Sequence, residues 1–261
     1  MESFIRNPID LLELSYRLNT IMTMNIHWHG ATHMGRVRGH NEDAFSCFAY
    51  GHVCSERDDA VEHGPLNNPG GVALCVSDGV GGQNAGEVAS AMVVEALRHT
   101  FEQWWSEACD IATGPESVKK PLMDLVGYAH EKVVEAGRDD PGRKDMAATL
   151  TFGWFLGECL HVAHVGDSRC YRLRRGKLEQ LTVDHSVPGR LLHEGKITEK
   201  EARKHPERGI IEQVVGVEAQ TPIPDVACYA LEEGDRYLFC SDGLSDGLPD
   251  AWIAKYLGME G

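Results

Sequence analysis

Four short acidic motifs follow one another along the chain. They are Arg38-Gly39-His40-Asn41-Glu42-Asp43, Asp78-Gly79-Val80-Gly81-Gly82, Gly166-Asp167-Ser168-Arg169 and Ser241-Asp242-Gly243-Leu244. Each sets a carboxylate beside a small or turn-forming residue, an arrangement that suits hard divalent cations at strand ends. Mg²⁺ and Mn²⁺ prefer octahedral oxygen coordination from carboxylates, backbone carbonyls and water. Asp78 with Gly79 offers a bridging carboxylate and an accessible carbonyl, because glycine lets the backbone approach an ion closely. Asp242-Gly243 repeats that design at a second strand end. Glu42 and Asp43 suit the water shells of such ions, and Asp167 suits an additional, weaker site. Carboxylates crowded together without cations repel one another. Two ions about 3.5–4 Å apart relieve the repulsion and lower the pKa of a bridging water toward about 7, which makes it a nucleophile toward phosphorus. Arg38 adds a planar fork of donors for a bidentate grip on a phosphoryl group. Taken singly, Asp-Gly and Asn-Glu pairs are ordinary turn chemistry, and Asp167-Ser168-Arg169 reads as a loop with a local ion pair. The ordered set of four carries the metal reading.

These residues need a scaffold, and 261 residues suffice for one domain with a substantial core. Lys+Arg 25 against Asp+Glu 40 gives a net charge of −15. That argues against nucleic acid or an anionic membrane as principal partner, since both need a basic face. No apolar run approaches the roughly 20 residues of a membrane span. The segment from Met1 to Met24 lacks the basic start and apolar stretch of a signal peptide. Met22 and Met24 are alternative starts, so 1–23 is expected to be an extension or a start-site artefact, with one short amphipathic helix at 9–18. The domain is expected to span 24–261. The eight cysteines show no C-x-x-C spacing, and several lie in strand-like runs, which favours buried free thiols in a reducing cytosol over disulfides or zinc.

Strands are expected near 25–32 and 43–50, followed by a loop at 51–70. The apolar run from Val72 to Ser77 stops at Asp78-Gly79, as a buried strand does at a turn. Helical spacing of apolar residues predicts helices over 86–107 and 116–137. Strands at 149–155 and 159–165 form a tight hairpin through Leu156-Gly157-Glu158, and 170–174 and 178–181 extend the meander. A helical insert is expected at 187–214, with a capping box at Thr198 to Glu201. Strands near 223–230 and 235–240 lead into Ser241-Asp242, and Pro249 opens a last helix. Strands, two helices, then strands again indicate an α+β layered domain.

With these motifs in order, the chain resembles the metal-dependent protein phosphatases of the PPM (type 2C) family over about residues 25–257, in the compact form of its bacterial members. Thr149-Leu150, the stretch from Leu181 to Ser186, and Gly195 to Pro206, which is similar to the family's flap, agree with it. The resemblance implies a four-layer α-β-β-α sandwich of two antiparallel sheets flanked by helices, with the metals at one edge. It implies hydrolysis of phosphoserine and phosphothreonine in proteins by a water bridging two Mn²⁺ or Mg²⁺ ions, with Arg38, Asp78 and Asp242 as catalytic residues. Asp78 would bridge both ions, the Gly79 carbonyl and Asp242 would ligate, and Glu42 and Asp43 would act through metal waters. Arg38 would bind phosphate, and Asp167 would serve a third ion. The implied setting is a cytoplasmic monomer opposing a cognate Ser/Thr kinase, with neither nucleic acid nor membrane as partner. The competing reading is a pseudophosphatase that binds phosphoproteins as a regulatory module.

Three positions depart from the family's pattern. The sequence stops at Gly261 without the Asp-Asn pair of a further C-terminal strand. That strand's absence would leave a neighbouring edge unpaired. A fragment, a frameshifted product and a degenerate relative all remain open. Val80 stands where some relatives carry a histidine suited to protonating the leaving group, so no general acid is assigned. Thr32-His33 replaces the usual Thr-Asp, and His27 and His29 alternate on one strand face, where a transition-metal site is a minor alternative to structural or solvent-facing roles.

Overall fold

The computed structural model describes residues 25–36, 38–49, 52–55, 62–67, 71–80, 85–107 and 115–259. The extension at 1–23 with its helix lies outside them, as do Gly81 and Gly82 of the second motif. In chain order, β1 (Asn25–Gly30), β2 (Asp43–Ala49), β3 (His52–Ser55), β4 (Glu62–Asn67) and β5 (Val72–Val80) precede two long helices, α1 (Gly86–Glu107) and α2 (Pro115–Asp139). Then come β6 (Ala147–Ala148), β7 (Leu150–Leu156), β8 (Cys159–Val165), β9 (Arg169–Arg174) and β10 (Lys177–Gln180). Short helices α3 (Val187–His193) and α4 (Glu199–Ala202) lead to β11 (Asp225–Ala230) and β12 (Arg236–Cys240), with α5 (Asp242–Ser245) and α6 (Asp250–Leu257) last.

One sheet runs β11-β8-β7-β5-β2-β3, with β6 joined to β5, and every pairing is antiparallel. Its central strands β7 and β8 are buried on both faces, so their sequences read as apolar runs rather than as alternation. On one face lie α1 and α2. Their buried Val93, Leu97, Leu122, Leu125 and Val133 recur at helical spacing and meet Phe152, Trp154 and Val165 of the sheet. Each such side chain contributes about 1.5–3 kcal/mol of burial. The other face carries a second β layer in two pieces, β10-β9-β12 and β1-β4. Phe155, Leu160 and Val162 meet Cys170, Tyr237 and Phe239 in the space between. Gly153 on β7 leaves the room that the Phe239 ring fills. Behind β9 and β12, Ile253 of α6 covers Tyr171 and Cys240. The stack is helices, sheet, sheet, helix, as the resemblance implied.

Two expectations need correction. The segment 51–70 is not simply a loop, because β3 pairs with β2 and β4 pairs with β1. Its Gly, Pro and charge hid both strands. Pro65 sits within β4, a strand paired on one side only among the described residues, where a missing N–H is tolerated. The expected insert at 187–214 is helical only at α3 and α4, and turns occupy most of the remainder. The capping box is present: the Thr198 hydroxyl accepts from the Glu201 N–H, and Glu201 accepts from the Thr198 N–H at 2.7 Å.

Among the described residues, β12 pairs only with β9 and β1 only with β4. A groove of about 2110 Å³ separates the two pieces of this layer, lined by Trp28, Arg38, Tyr237 and the carboxylates Asp43, Asp78 and Asp242. No described helix is long and apolar enough to cross a membrane.

Candidate active site

Four aspartates reach one end of the sandwich from different elements. Asp43 opens β2, and Asp78 lies directly opposite it in the β2–β5 ladder. Asp242 is the first residue of α5, immediately after β12, and Asp167 sits in the turn between β8 and β9. Backbone groups fix Asp78 in place. Its N–H donates to the Thr149 hydroxyl at 2.9 Å, and its carbonyl accepts from the Thr149 N–H at 2.8 Å. The same hydroxyl lies 2.7 Å from Ser168 Oγ. Thr149 therefore joins the Asp78 strand end to the Asp167 turn. That turn needs Gly166, whose φ of +110° favours glycine and whose missing Cβ would fall 2.6 Å from Thr149 Cγ2. Ser241 precedes α5 but does not cap it, and its hydroxyl instead donates to Asp43 Oδ2 at 2.7 Å.

Burial and mutual repulsion raise the proton affinity of Asp43, Asp78 and Asp167. Asp78 is pushed up to about 9, first by burial and then by Asp43, Asp242 and Asp167. Asp167 rises to about 7 through burial, with Asp242 and Asp184 adding to the effect. Burial also raises Asp43 against the opposing pull of the Ser241 hydroxyl. The nearby arginines pair with carboxylates other than these four aspartates. Arg169 grips Asp184 with contacts of 2.6–3.1 Å, and Arg38 Nη1 donates to Glu42 Oε2 at 2.8 Å. Such a set of oxygen donors, short of positive charge, fits hard divalent cations. Glu42 is 10% exposed and also meets His40 Nε2 at 3.0 Å, while the Arg38 side chain is 66% exposed. The Gly79 N–H donates to the Glu42 carbonyl at 3.0 Å, which ties the first motif to the second. A Cβ at Gly79 would meet the Gly86 backbone at 2.3 Å, so only glycine lets α1 start this close to β5.

The sequence pattern of the family described as Protein phosphatase 2C matches residues 52–257. The chain belongs to that family. A 2C relative, the serine/threonine protein phosphatase PstP of Mycobacterium tuberculosis, is 38% identical over 186 residues, which cover 70% of this chain and 34% of that protein. The chain thus matches about a third of the length of this curated relative. Among solved 2C structures, serine/threonine phosphatase Stp1 from Staphylococcus aureus superposes with a TM-score of 0.73 at 28% identity, covering 92% of this chain and 84% of that one. The catalytic domain of PstP in complex with two manganese ions gives 0.65 at 30% identity, covering 90% and 85%.

All the residues singled out from the sequence reach this end of the 2C fold: Glu42, Asp43, Asp78, Gly79, Asp167 and Asp242 in the cluster, and Arg38 at its rim. The supporting residues escaped notice. Thr149 and Ser241 are common residue types whose hydrogen bonds connect positions 71 and 198 residues apart in sequence. Asn41 serves the local turn, accepting from the Asp43 N–H at 3.2 Å. His27 and His29 are exposed, and among the described residues no third ligand gathers with them. Of the cysteines, Cys75, Cys170 and Cys240 are buried and free, as expected, but Cys159 and Cys228 are only half-buried.

Proposed function

We propose that this chain hydrolyses phosphoserine and phosphothreonine in proteins with the aid of Mn²⁺ or Mg²⁺. The observation that carries this reading is the convergence of Asp43, Asp78, Asp167 and Asp242 from separate elements, where burial and mutual repulsion raise the proton affinity of the first three. Asp78, Asp242 and the Gly79 carbonyl would hold the ions, Glu42 and Asp43 would steady their water shells, and Asp167 would serve a further ion. The bound ions supply Lewis acidity toward the phosphoryl oxygens and activate water for attack. The protein's own part is positioning. Thr149 and Ser241 fix two of the carboxylates, and Arg38 exchanges its exposed contact with Glu42 for a bidentate grip on the phosphate. No side chain is assigned as proton donor to the leaving group. The folded unit would occupy residues 24–261, act in the cytoplasm as a monomer and oppose a Ser/Thr kinase.

Purified chain should hydrolyse an aryl phosphate and a phosphothreonine peptide when Mn²⁺ is present and stop when it is chelated. Folded protein that binds the phosphopeptide without turning it over would overturn hydrolysis in favour of a binding role.

A further inference from the structure

A second group of metal-ligating side chains lies away from the carboxylates, where β8 pairs with the edge strand β11. Cys159 and His161 are two residues apart on β8 and so face the same side of the sheet. Cys228 on β11 is the direct partner of His161 in the antiparallel register. The sulfur and imidazole nitrogen atoms of the three residues lie within 4.8 Å of one another. His161 is 5% exposed and rests against Trp154 with ring centroids 6.4 Å apart. Among the described residues, no hydrogen-bond partner meets its ring nitrogens. Its ring nitrogens are thus free to ligate, and two thiols beside it are the donors that soft and borderline cations select. His161 precedes Asp167 by six residues, roughly 20 Å of strand at about 3.3 Å per residue.

We propose that Cys159, His161 and Cys228 bind one zinc ion. Two thiolates and one imidazole leave a fourth tetrahedral position for water. Burial depresses the proton affinity of His161, which keeps its ring neutral and ready to ligate. The Cys228 thiol is pushed up to about 11 by burial and by its hydrogen bond with Cys159. Thiolate ligation in general releases protons to solvent, so zinc affinity should rise with pH. The ion would clamp the edge strand. At its other end β11 carries Asp225, which meets His185 Nε2 at 3.3 Å, and His185 Nδ1 accepts from the Gly166 N–H at 3.2 Å. The clamp thus holds a strand that supports the turn bearing Asp167.

The test is a Co²⁺ titration of metal-stripped, fully reduced protein carrying Asp78→Ala, which removes a central carboxylate of the other site. The expected result is a thiolate-to-cobalt charge-transfer band that saturates at one equivalent and is bleached by Zn²⁺. Cys228→Ser and His161→Gln should each weaken the affinity by at least about tenfold. Zinc should also raise the melting temperature of the Asp78→Ala protein and leave that of Cys228→Ser unchanged. Cys228 is half-buried on an edge strand, so its variant remains informative if His161→Gln fails to fold. The proposal is overturned if no such band forms, if the band survives Cys159→Ser/Cys228→Ser, or if the two thiols join as a disulfide that reductant leaves intact.

Discussion

Asp78 is the residue on which the site turns, because it lies opposite Asp43 and feels Asp242 and Asp167 as well. Asp78→Ala should abolish Mn²⁺-dependent turnover, and retention of more than a few per cent of wild-type rate would remove it from the bridging role. Arg38 sits at the rim and is largely exposed, so Arg38→Ala should raise KM with a smaller effect on kcat. Unchanged values of both would end the phosphate-gripping assignment. Thr149 touches no reacting group but holds Asp78 and Ser168 through one hydroxyl. Thr149→Val keeps the volume and strands the Asp78 N–H, a loss of about 1–3 kcal/mol in stability. Because it also loosens a ligand's support, apparent Mn²⁺ affinity should fall about 10–100-fold. A titration showing native affinity would reduce Thr149 to a packing residue.

At the level of elements, the strand that delivers Asp78 was plain in the sequence from its apolar run. It does not stop at Asp78-Gly79 as expected but continues to Val80, because Gly79 and Val80 pair with β6. Helices α1 and α2 were equally plain from the spacing of residues such as Val93, Leu97, Leu122 and Leu125. The strands β3 and β4 were not, because their pairing depends on β2 and β1 rather than on local composition. Long-range support has the same character: nothing near Ser241 in sequence shows that it will meet Asp43 instead of capping α5. Gly79 illustrates the limit from the other side. Its motif spoke for a metal-facing carbonyl, but the structure also gives it a packing duty against Gly86. Gly79→Ala should therefore destabilise the metal-free protein by about 1–3 kcal/mol, as overpacking against backbone does. Gly243→Ala makes the contrast, since the nearest atom to an added Cβ is the Ser241 hydroxyl at 3.6 Å. Melting temperatures of the two variants measured with chelator present separate packing from ligation. Equal values would mean that α1 can retreat from β5 without cost.

Over the whole molecule, two sets of buried groups push stability in opposite directions with pH. Burial and the neighbouring His185 lower His164 to about 3, so its contribution is complete above its unfolded value near 6.5 and is lost as pH falls toward 3. Asp78 and Asp167 are raised to about 9 and about 7. Their contribution is complete below the unfolded carboxylate value near 3.9 and drains away as pH rises through 7 and 9. Metal-free protein should accordingly be most stable on the acidic side of neutrality and lose melting temperature toward pH 9. Divalent ions reverse the carboxylate half of this balance, because they bind the charged forms that the metal-free fold resists. The rise in melting temperature caused by Mn²⁺ should be larger at pH 8 than at pH 5.5, and Asp78→Asn should shrink that rise while raising the metal-free value at pH 8. Thermal scans with Mn²⁺ or chelator at the two pH values decide the matter. A rise that is equal at both, or larger at pH 5.5, would place the ions outside the Asp43–Asp78–Asp242 cluster and leave the repulsion there without a purpose.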